Sequence, residues 1–425
     1  MNSIFLIIGI IYFFGFLLTL ITILLEKIYK NKLNIIPKEY KDIYVLLPAL
    51  KEQKIVTSTI DWFKQVQYKG KIKFVIITTQ KEEMEYKNKK IKTPTTNQVV
   101  NKYLKQIKDE RFIHYHYPKI HGNKSSQMNF AIKLIQKNYK PDSKKTYISV
   151  FDFDSQPELN TFDMLNKVSL LKNNPDAINQ VPLCIKNYYE CSKNKIIMLL
   201  YAMHHLIRSC SIEKFKLLLS SLSNLKIPQY CMGACMHLKM STLLENDYFP
   251  IFVDDLTLGY RMSIKGNRFA YLPTYNYSLI PNKLLDYCNS ATLIFKGIST
   301  YLTEIKNTKK HLWGKIKMFT AGTGNIIVFT IIPWMLVVYY IYSIVTKNLN
   351  FTFYLCFSIP YLWCIASYII IKINKIKDKK INSFLAFIIS PIWFVFRPIG
   401  FLMYFKKLLL SKITKKDIVY KKTER

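Results

Sequence analysis

The sequence predicts an α/β fold carried between membrane segments, and three observations predict it. Apolar runs of strand length at 42–47, 72–78, 112–117 and 147–151 alternate with helical stretches, the pattern of βαβ units. Uncharged apolar runs near both ends, beginning with 4–25, are long enough to cross a bilayer. Two acidic clusters, Asp152-Phe153-Asp154 and Asp254-Asp255, sit in apolar surroundings rather than in solvated charge runs.

Taken in order, the run 4–25 is either a membrane anchor or a signal peptide. It has no basic stretch ahead of it and no small-x-small site before Glu26, so an anchor over 1–28 is expected. Residues 42–47 form a buried strand stopped by Pro48, 58–67 a helix and 72–78 a second strand. Polar 80–98 is expected as loop, 99–108 as helix and 112–117 as a short strand. Residues 125–137 place Met128, Ala131, Ile132 and Ile135 at helical spacing. The strand 147–151 runs into the first acidic cluster. Beyond it, 179–183, 233–238 and 269–272 are short strands and 195–219 is largely helical.

The remaining segments concern the membrane. Residues 284–305 and 311–318 mix apolar, aromatic and basic residues, as interfacial helices or an ordinary domain surface do. The runs 325–344 and 351–371 are spans, and 383–405 is a third span or a hairpin, because Arg397-Pro398 divides it. The expected organisation is an anchor over 1–28, a central α/β domain over 40–280 and interfacial helices over 281–320. Membrane segments over 323–410 and a basic tail over 411–425 follow.

Composition narrows the partners. The chain of 425 residues has 62 Lys and Arg against 27 Asp and Glu, a net charge of +35. The lysines are scattered and do not interleave with aromatics, which argues against nucleic acid and for an anionic membrane face. Basic flanks at 26–32 and at Lys309-Lys310 place the central region on the cytoplasmic side of a multi-pass inner-membrane protein. The eight cysteines show no framework spacing. Cys231 and Cys235 lack a second pair at zinc spacing, so free thiols in a reducing compartment are expected.

In parallel sheets, ligands sit beyond the C-terminal ends of the strands. Pro48-Ala49, Thr78-Thr79 and Asp152-Phe153-Asp154 all fall at such ends, so they should line one crevice. Residues two apart on a strand point the same way, so Asp152 and Asp154 either hold one hard cation or are two solvated turn acids. Gly122 to Asn129 opens a helix whose N-terminus attracts phosphate. Lys124 adds a point charge, and Asn129 follows on the same side. A capped surface helix is the other reading. The adjacent Asp254 and Asp255 raise one another's pKa, as a general base requires, or simply complement a helix N-terminus. On these residues alone both readings stay open.

In order, the motifs resemble those of membrane-bound family 2 glycosyltransferases, inverting enzymes with the Rossmann-like GT-A fold. Val45-Leu46-Leu47-Pro48-Ala49-Leu50-Lys51-Glu52 resembles the first-strand motif beside the nucleotide. His121 to Ala131 resembles the Gly-Lys-x-x-x-(Leu/Met)-Asn segment. Asp152-Phe153-Asp154 resembles the Asp-x-Asp metal motif, and Met232-Gly233-Ala234-Cys235-Met236 the glycine-containing acceptor-side segment. Val253-Asp254-Asp255-Leu256, running on to Arg261, resembles the Thr-Glu-Asp-Leu element that carries the base.

The resemblance implies a hexosyl-type transferase in surface polysaccharide or glycolipid assembly, with Asp255 as base and Asp254 beside it. It implies Mg²⁺ or Mn²⁺ on Asp154 and Asp152. A nucleotide-sugar donor would be bound by Pro48, Ala49, Glu52, Thr79, Lys124, Asn129 and Asp152. A lipid-linked or glycan acceptor would lie near Gly233, Cys235 and Arg261.

Two departures bear on this. The Gln-x-x-Arg-Trp of processive members is replaced by Ala291-Thr292-Leu293-Ile294-Phe295-Lys296-Gly297, which favours adding one sugar or a short run. Thr78-Thr79-Gln80 stands where an acidic residue ends the second strand. A processive polysaccharide synthase, and a non-enzymatic membrane scaffold or transport component, are the competing readings.

Overall fold

The apolar runs that alternate with helices form the first half of one eight-stranded sheet, in the order β3-β2-β1-β4-β7-β6-β8-β5. The computed structural model that shows this describes residues 2–172, 174–184, 198, 212–223, 225–251, 253–279, 283–373, 388 and 399–414. Strands β1 (Asp42–Pro48), β2 (Ile72–Thr79), β3 (Phe112–Tyr117) and β4 (Thr146–Phe151) pair in parallel around β1. Every residue of β4, and all but the ends of β1, is buried, as expected of strands covered on both faces.

The second half runs the other way. β7 (Cys235–Lys239) is antiparallel to β4 and to β6 (Ala177–Cys184), and β5 (Gln156–Pro157) is antiparallel to β8 (Phe269–Ser278). The sheet is therefore mixed rather than parallel throughout.

The helices expected over 58–67, 99–108 and 125–137 are present with shifted ends. In chain order the first helices are α1 (Asn2–Lys32), α2 (Val56–Lys64), α3 (Gln80–Asn88), α4 (Thr96–Ile107), α5 (Lys124–Tyr139) and α6 (Thr161–Ser169). The expected loop over 80–98 is instead α3 and the start of α4. α3 has almost no apolar stripe to reveal it. Its ends do the work: Thr79 caps it by accepting from Lys81 N at 3.1 Å, Glu82 and Glu83 fill its first turn, and Lys87 fills its last. Helices α7 (Ile212–Leu222), α8 (Met240–Glu245) and α9 (Asp254–Lys265) follow. The rest of the helix expected over 195–219 lies outside the described residues, Met198 apart.

By internal contacts the chain forms two compact units. One comprises Tyr29–Pro182 and Ser220–Ser278 and contains the parallel strands and α9. Its core includes four buried rings, Phe63, Phe74, Phe151 and Phe162, with centroids 5.3 Å (63–74), 5.9 Å (63–151), 6.3 Å (74–162) and 6.1 Å (151–162) apart. Such tilted and edge-on contacts add to the burial each ring supplies.

The other unit comprises Met1–Ile28, Leu183–Leu219 and Leu279–Arg425. Besides most of α1 and α7, its described helices are Leu284–Asn307, Leu312–Ile326, Ile332–Val345, Phe351–Ile373 and Ile399–Thr414, with a π-helical turn over Ile327–Ile331. α1 packs among them: Phe5 stacks on Tyr339 at 4.0 Å, and Tyr12 Oη donates to the π-turn carbonyl of Val328 at 2.5 Å. Glu26 and Lys214 form a buried ion pair at 2.5 Å. Among the described residues, α1 is the helix long and apolar enough to cross a membrane, and Ile332–Val345 and Phe351–Ala366 are apolar but shorter. The run expected over 383–405 lies mostly outside the described residues.

Candidate active site

Parallel pairing puts the C-terminal ends of β2, β1 and β4 side by side, so Thr79, Pro48 and Phe151 end at one edge of the sheet. The loop after β1 is pinned there. Ala49 N donates to Ile77 O at 2.9 Å, and Glu52 N donates to Thr96 Oγ1 at 2.9 Å. The buried carboxylate of Glu82 accepts from Lys51 N at 2.8 Å, and from Thr96 N at 2.7 Å and Oγ1 at 2.9 Å. Sequence reasoning missed Glu82 and Thr96. A carboxylate three residues after a capping threonine was the available signal. Thr79 is 2 % exposed, and its hydroxyl serves as the cap of α3.

β4 stops at Phe151, so Asp152 and Asp154 do not project from a strand as expected. They lie in a turn closed by Ser155 N donating to Asp152 O at 3.0 Å and held by Thr59 Oγ1 donating to Phe153 O at 2.8 Å. A turn separates the two acids. The Asp152 side chain is 27 % exposed and Asp154 is buried.

The helix expected over 125–137 supplies the second wall. Asn123 caps α5 in a capping box with Ser126, which fixes the backbone at Lys124. The Lys124 ammonium donates to Asp152 Oδ1 at 2.8 Å and to Gly233 O at 3.0 Å, and lies 4.0 Å from Asp254 Oδ2. Burial opposes its charge, but Asp152 and Asp254 outweigh burial and raise its pKa. Asn129 does not join it. Its amide exchanges two hydrogen bonds with the backbone of Phe249, at 2.8 and 3.0 Å. Asn123 donates to Ile251 O. α5 therefore clamps the chain just ahead of the acid pair.

That clamp meets strained backbone. Val253 turns the chain into α9 with φ 47°, in the left-handed region that a β-branched side chain rarely enters. Such a residue costs about 1–3 kcal/mol and persists where its surroundings over-determine it.

α9 presents one stripe at i, i+4 and i+8 to the backbone of residues 229–233, which runs antiparallel to it. Asp255 Oδ2 accepts from Gly233 N at 3.0 Å. One turn on, Gly259 lies so close that a methyl group there would fall 2.3 Å from Cys231 N and from Tyr230 Cα. A further turn on, Ser263 Oγ accepts from Gln229 N at 2.8 Å and donates to Gln229 O at 2.6 Å. Asp254 and Asp255 thus open a helix, one of the two expected readings, and Asp255 also faces the segment 229–233.

Asp255 accepts a second backbone bond, from Leu256 N at 2.8 Å. Asp254 Oδ2 is buried without a hydrogen-bond partner. Burial is the main cause that raises both acids, Asp254 to about 6. Lys124 offsets part of this at both, the N–H of Leu256 lowers Asp255, and Asp255 pushes Asp254 further up.

Two expected acceptor-side residues lie apart from this cluster. Cys235 is fully buried at the start of β7, with its thiol donating to Gln180 O at 3.0 Å. Arg261 Nη1 donates to Asn246 O at 2.8 Å, tying α9 to the end of α8.

The chain matches no protein-family model. It matches no curated protein either. Among solved structures it is similar to the mannosyltransferase PcManGT from Pyrobaculum calidifontis in complex with GDP-Man and Mn²⁺. The TM-score is 0.51 at 11% identity, over 95% of this chain and 99% of that one. It is also similar to glucosyl-3-phosphoglycerate synthase from Mycobacterium tuberculosis, solved with Mn²⁺, UDP and glucosyl-3-phosphoglycerate. There the TM-score is 0.34 at 11% identity, over 62% of this chain and 80% of that one. The first likeness establishes a fold of the GT-A kind; the second is too distant to add to it.

Proposed function

We propose that this chain is an inverting, metal-dependent glycosyltransferase that moves a sugar from a nucleotide-sugar donor to an acceptor hydroxyl. One observation carries the reading. Two adjacent, half-buried carboxylates stand at the start of α9, joined through Lys124 to the acid turn after β4, at the edge where the parallel strands end. The mannosyltransferase that shares the fold was solved with a nucleotide sugar and Mn²⁺, which supports the same donor class here.

In this reading Asp255 is the base. Two backbone N–H groups hold its carboxylate, and burial raises its pKa toward the range a base needs. It takes the proton of the acceptor hydroxyl as that oxygen bonds to the anomeric carbon. The bond from that carbon to the nucleoside diphosphate breaks on the opposite face, so the configuration inverts. Pro48, Ala49, Glu52 and Lys124 face the donor, and Gly233 holds the base in place.

The residues fit a hard divalent cation. Asp152 and Asp154 offer carboxylate oxygens, and Asp254 Oδ2 is a buried oxygen without a hydrogen-bond partner. No group of three or more His, Cys, Asp or Glu gathers at ligand spacing among the described residues, so donor phosphate oxygens would complete the shell. What bound Mg²⁺ or Mn²⁺ supplies is positive charge against the charge that develops on the leaving diphosphate.

The finer reading places the enzyme in the inner membrane as a multi-pass protein with its catalytic domain on the cytoplasmic side. It adds one sugar, or a short run, to a lipid-linked or glycan acceptor in surface polysaccharide or glycolipid assembly. The long apolar α1 and the net charge of +35 support a membrane setting.

The test is nucleotide release from a panel of nucleotide sugars by detergent-purified protein, with and without Mn²⁺, beside Asp255→Asn. The expected result is cation-dependent release that falls by about 100-fold or more in the variant. Equal turnover in the variant would remove Asp255 as the base.

A further inference from the structure

We propose that the Lys124 ammonium is a resident counter-ion on Asp152, which keeps the cation position closed until a donor diphosphate arrives. This inference rests on the cation-dependent reading of the same site. Three distances carry it. The ammonium donates to Asp152 Oδ1 at 2.8 Å and to Gly233 O at 3.0 Å, and stands 4.0 Å from Asp254 Oδ2. The last oxygen is buried without a hydrogen-bond partner. One ammonium thus lies between an acid it hydrogen-bonds and a second acid at the outer limit of ion-pair distance.

The chemistry follows from charge. An ammonium on Asp152 satisfies an oxygen that a divalent cation needs and repels that cation directly. A free cation therefore binds weakly. A donor diphosphate brings negative charge that draws the cation to Asp152 and gives the displaced ammonium new acceptors. The Asn123 capping box anchors the backbone, so the exchange needs rotation of the side chain only. Cation and donor then bind as a pair, and binding of either favours the other.

The experiment titrates Mn²⁺ into purified protein without nucleotide and follows the free-ion EPR signal. Lys124→Met should bind Mn²⁺ about tenfold more tightly than the unmodified protein, because a like charge is gone. Lys124→Arg should stay near the unmodified value, and Asp152→Asn should lose the site. Melting curves establish that each variant is folded.

Equal or weaker Mn²⁺ affinity in Lys124→Met, with Asp152→Asn still deficient, would overturn the counter-ion role and leave the cation reading standing. No Mn²⁺ binding in any of these proteins, with UDP or GDP present or absent, would overturn the cation reading and this inference with it.

Discussion

The backbone N–H of Gly233 donates to Asp255 Oδ2 at 3.0 Å, and a methyl group at position 233 would lie 2.4 Å from that same oxygen. The glycine is thus both a donor to the proposed base and the space the base occupies. Gly233→Ala fits its own backbone, since φ there is not in the left-handed region. The added carbon must displace the carboxylate, whose Cγ would stand 2.8 Å away. The expected outcome is a protein that folds normally but turns over about 100-fold more slowly, since a misplaced catalytic group costs on that order. Paired kcat and melting measurements check it.

Position 259 should behave in the opposite way. There the obstacle is backbone, Tyr230 Cα and Cys231 N, which cannot swing aside. Gly259→Ala should push α9 off residues 229–233 and cost about 3 kcal/mol or more. Yield and melting temperature should fall along with activity. A variant as stable as the parent would mean that α9 is not seated on this segment.

On the proposed function, acid should slow turnover at a pH where ordinary carboxylates are still ionised. Burial raises both acids, and a base works only when deprotonated. The rate should therefore begin to fall above 3.8, the ordinary value for the proposed base Asp255, because burial raises its pKa. Stability should move the other way. A carboxyl whose folded pKa is raised stabilises the fold fully below its unfolded value, and that contribution is lost as pH rises through the folded value. The protein without donor should melt lower at pH 7.5 than at pH 5 on this account. Asp254→Asn should flatten the difference by a few degrees, roughly the effect of 1–2 kcal/mol in a domain this size.

The strand ends and the order of the chemical groups were legible in the sequence because they follow from continuous apolar runs with acids at their ends. Asp152 follows the strand β4 for that reason, whereas Lys124, Asp254 and Asp255 come to it from the starts of helices. The sheet direction beyond β4 was not legible, because short apolar runs carry no sign of parallel or antiparallel pairing. Helix α3 was hidden for a related cause: its signals are a cap and end charges, with hardly any apolar stripe. Asn129 has the right spacing to face the donor, yet the free backbone of Phe249 takes both ends of its amide. No sequence rule weighs a neighbour that distant in the chain.

Asn276 offers a last prediction, because it joins two parts of the site that meet nowhere else in sequence. Fully buried in β8, its amide donates to Ser155 Oγ at 3.0 Å and to Ala234 O at 3.1 Å. Ser155 closes the turn that carries Asp152 and Asp154, and Ala234 follows the glycine that holds Asp255. The amide therefore sets the spacing between the proposed cation side and the proposed base. Asn276→Asp keeps the shape but removes the donor hydrogens, leaving a carboxylate beside a carbonyl oxygen. It should cost about 2–4 kcal/mol through unsatisfied buried polar groups. Asn276→Ser keeps one donor on a shorter arm, so it should fold better yet still let the two sides drift. If spacing is what Asn276 provides, Asn276→Ser should raise the metal concentration for half-maximal turnover as well as lowering kcat. If it provides only stability, both kinetic values should return to normal once measured well below the melting temperature.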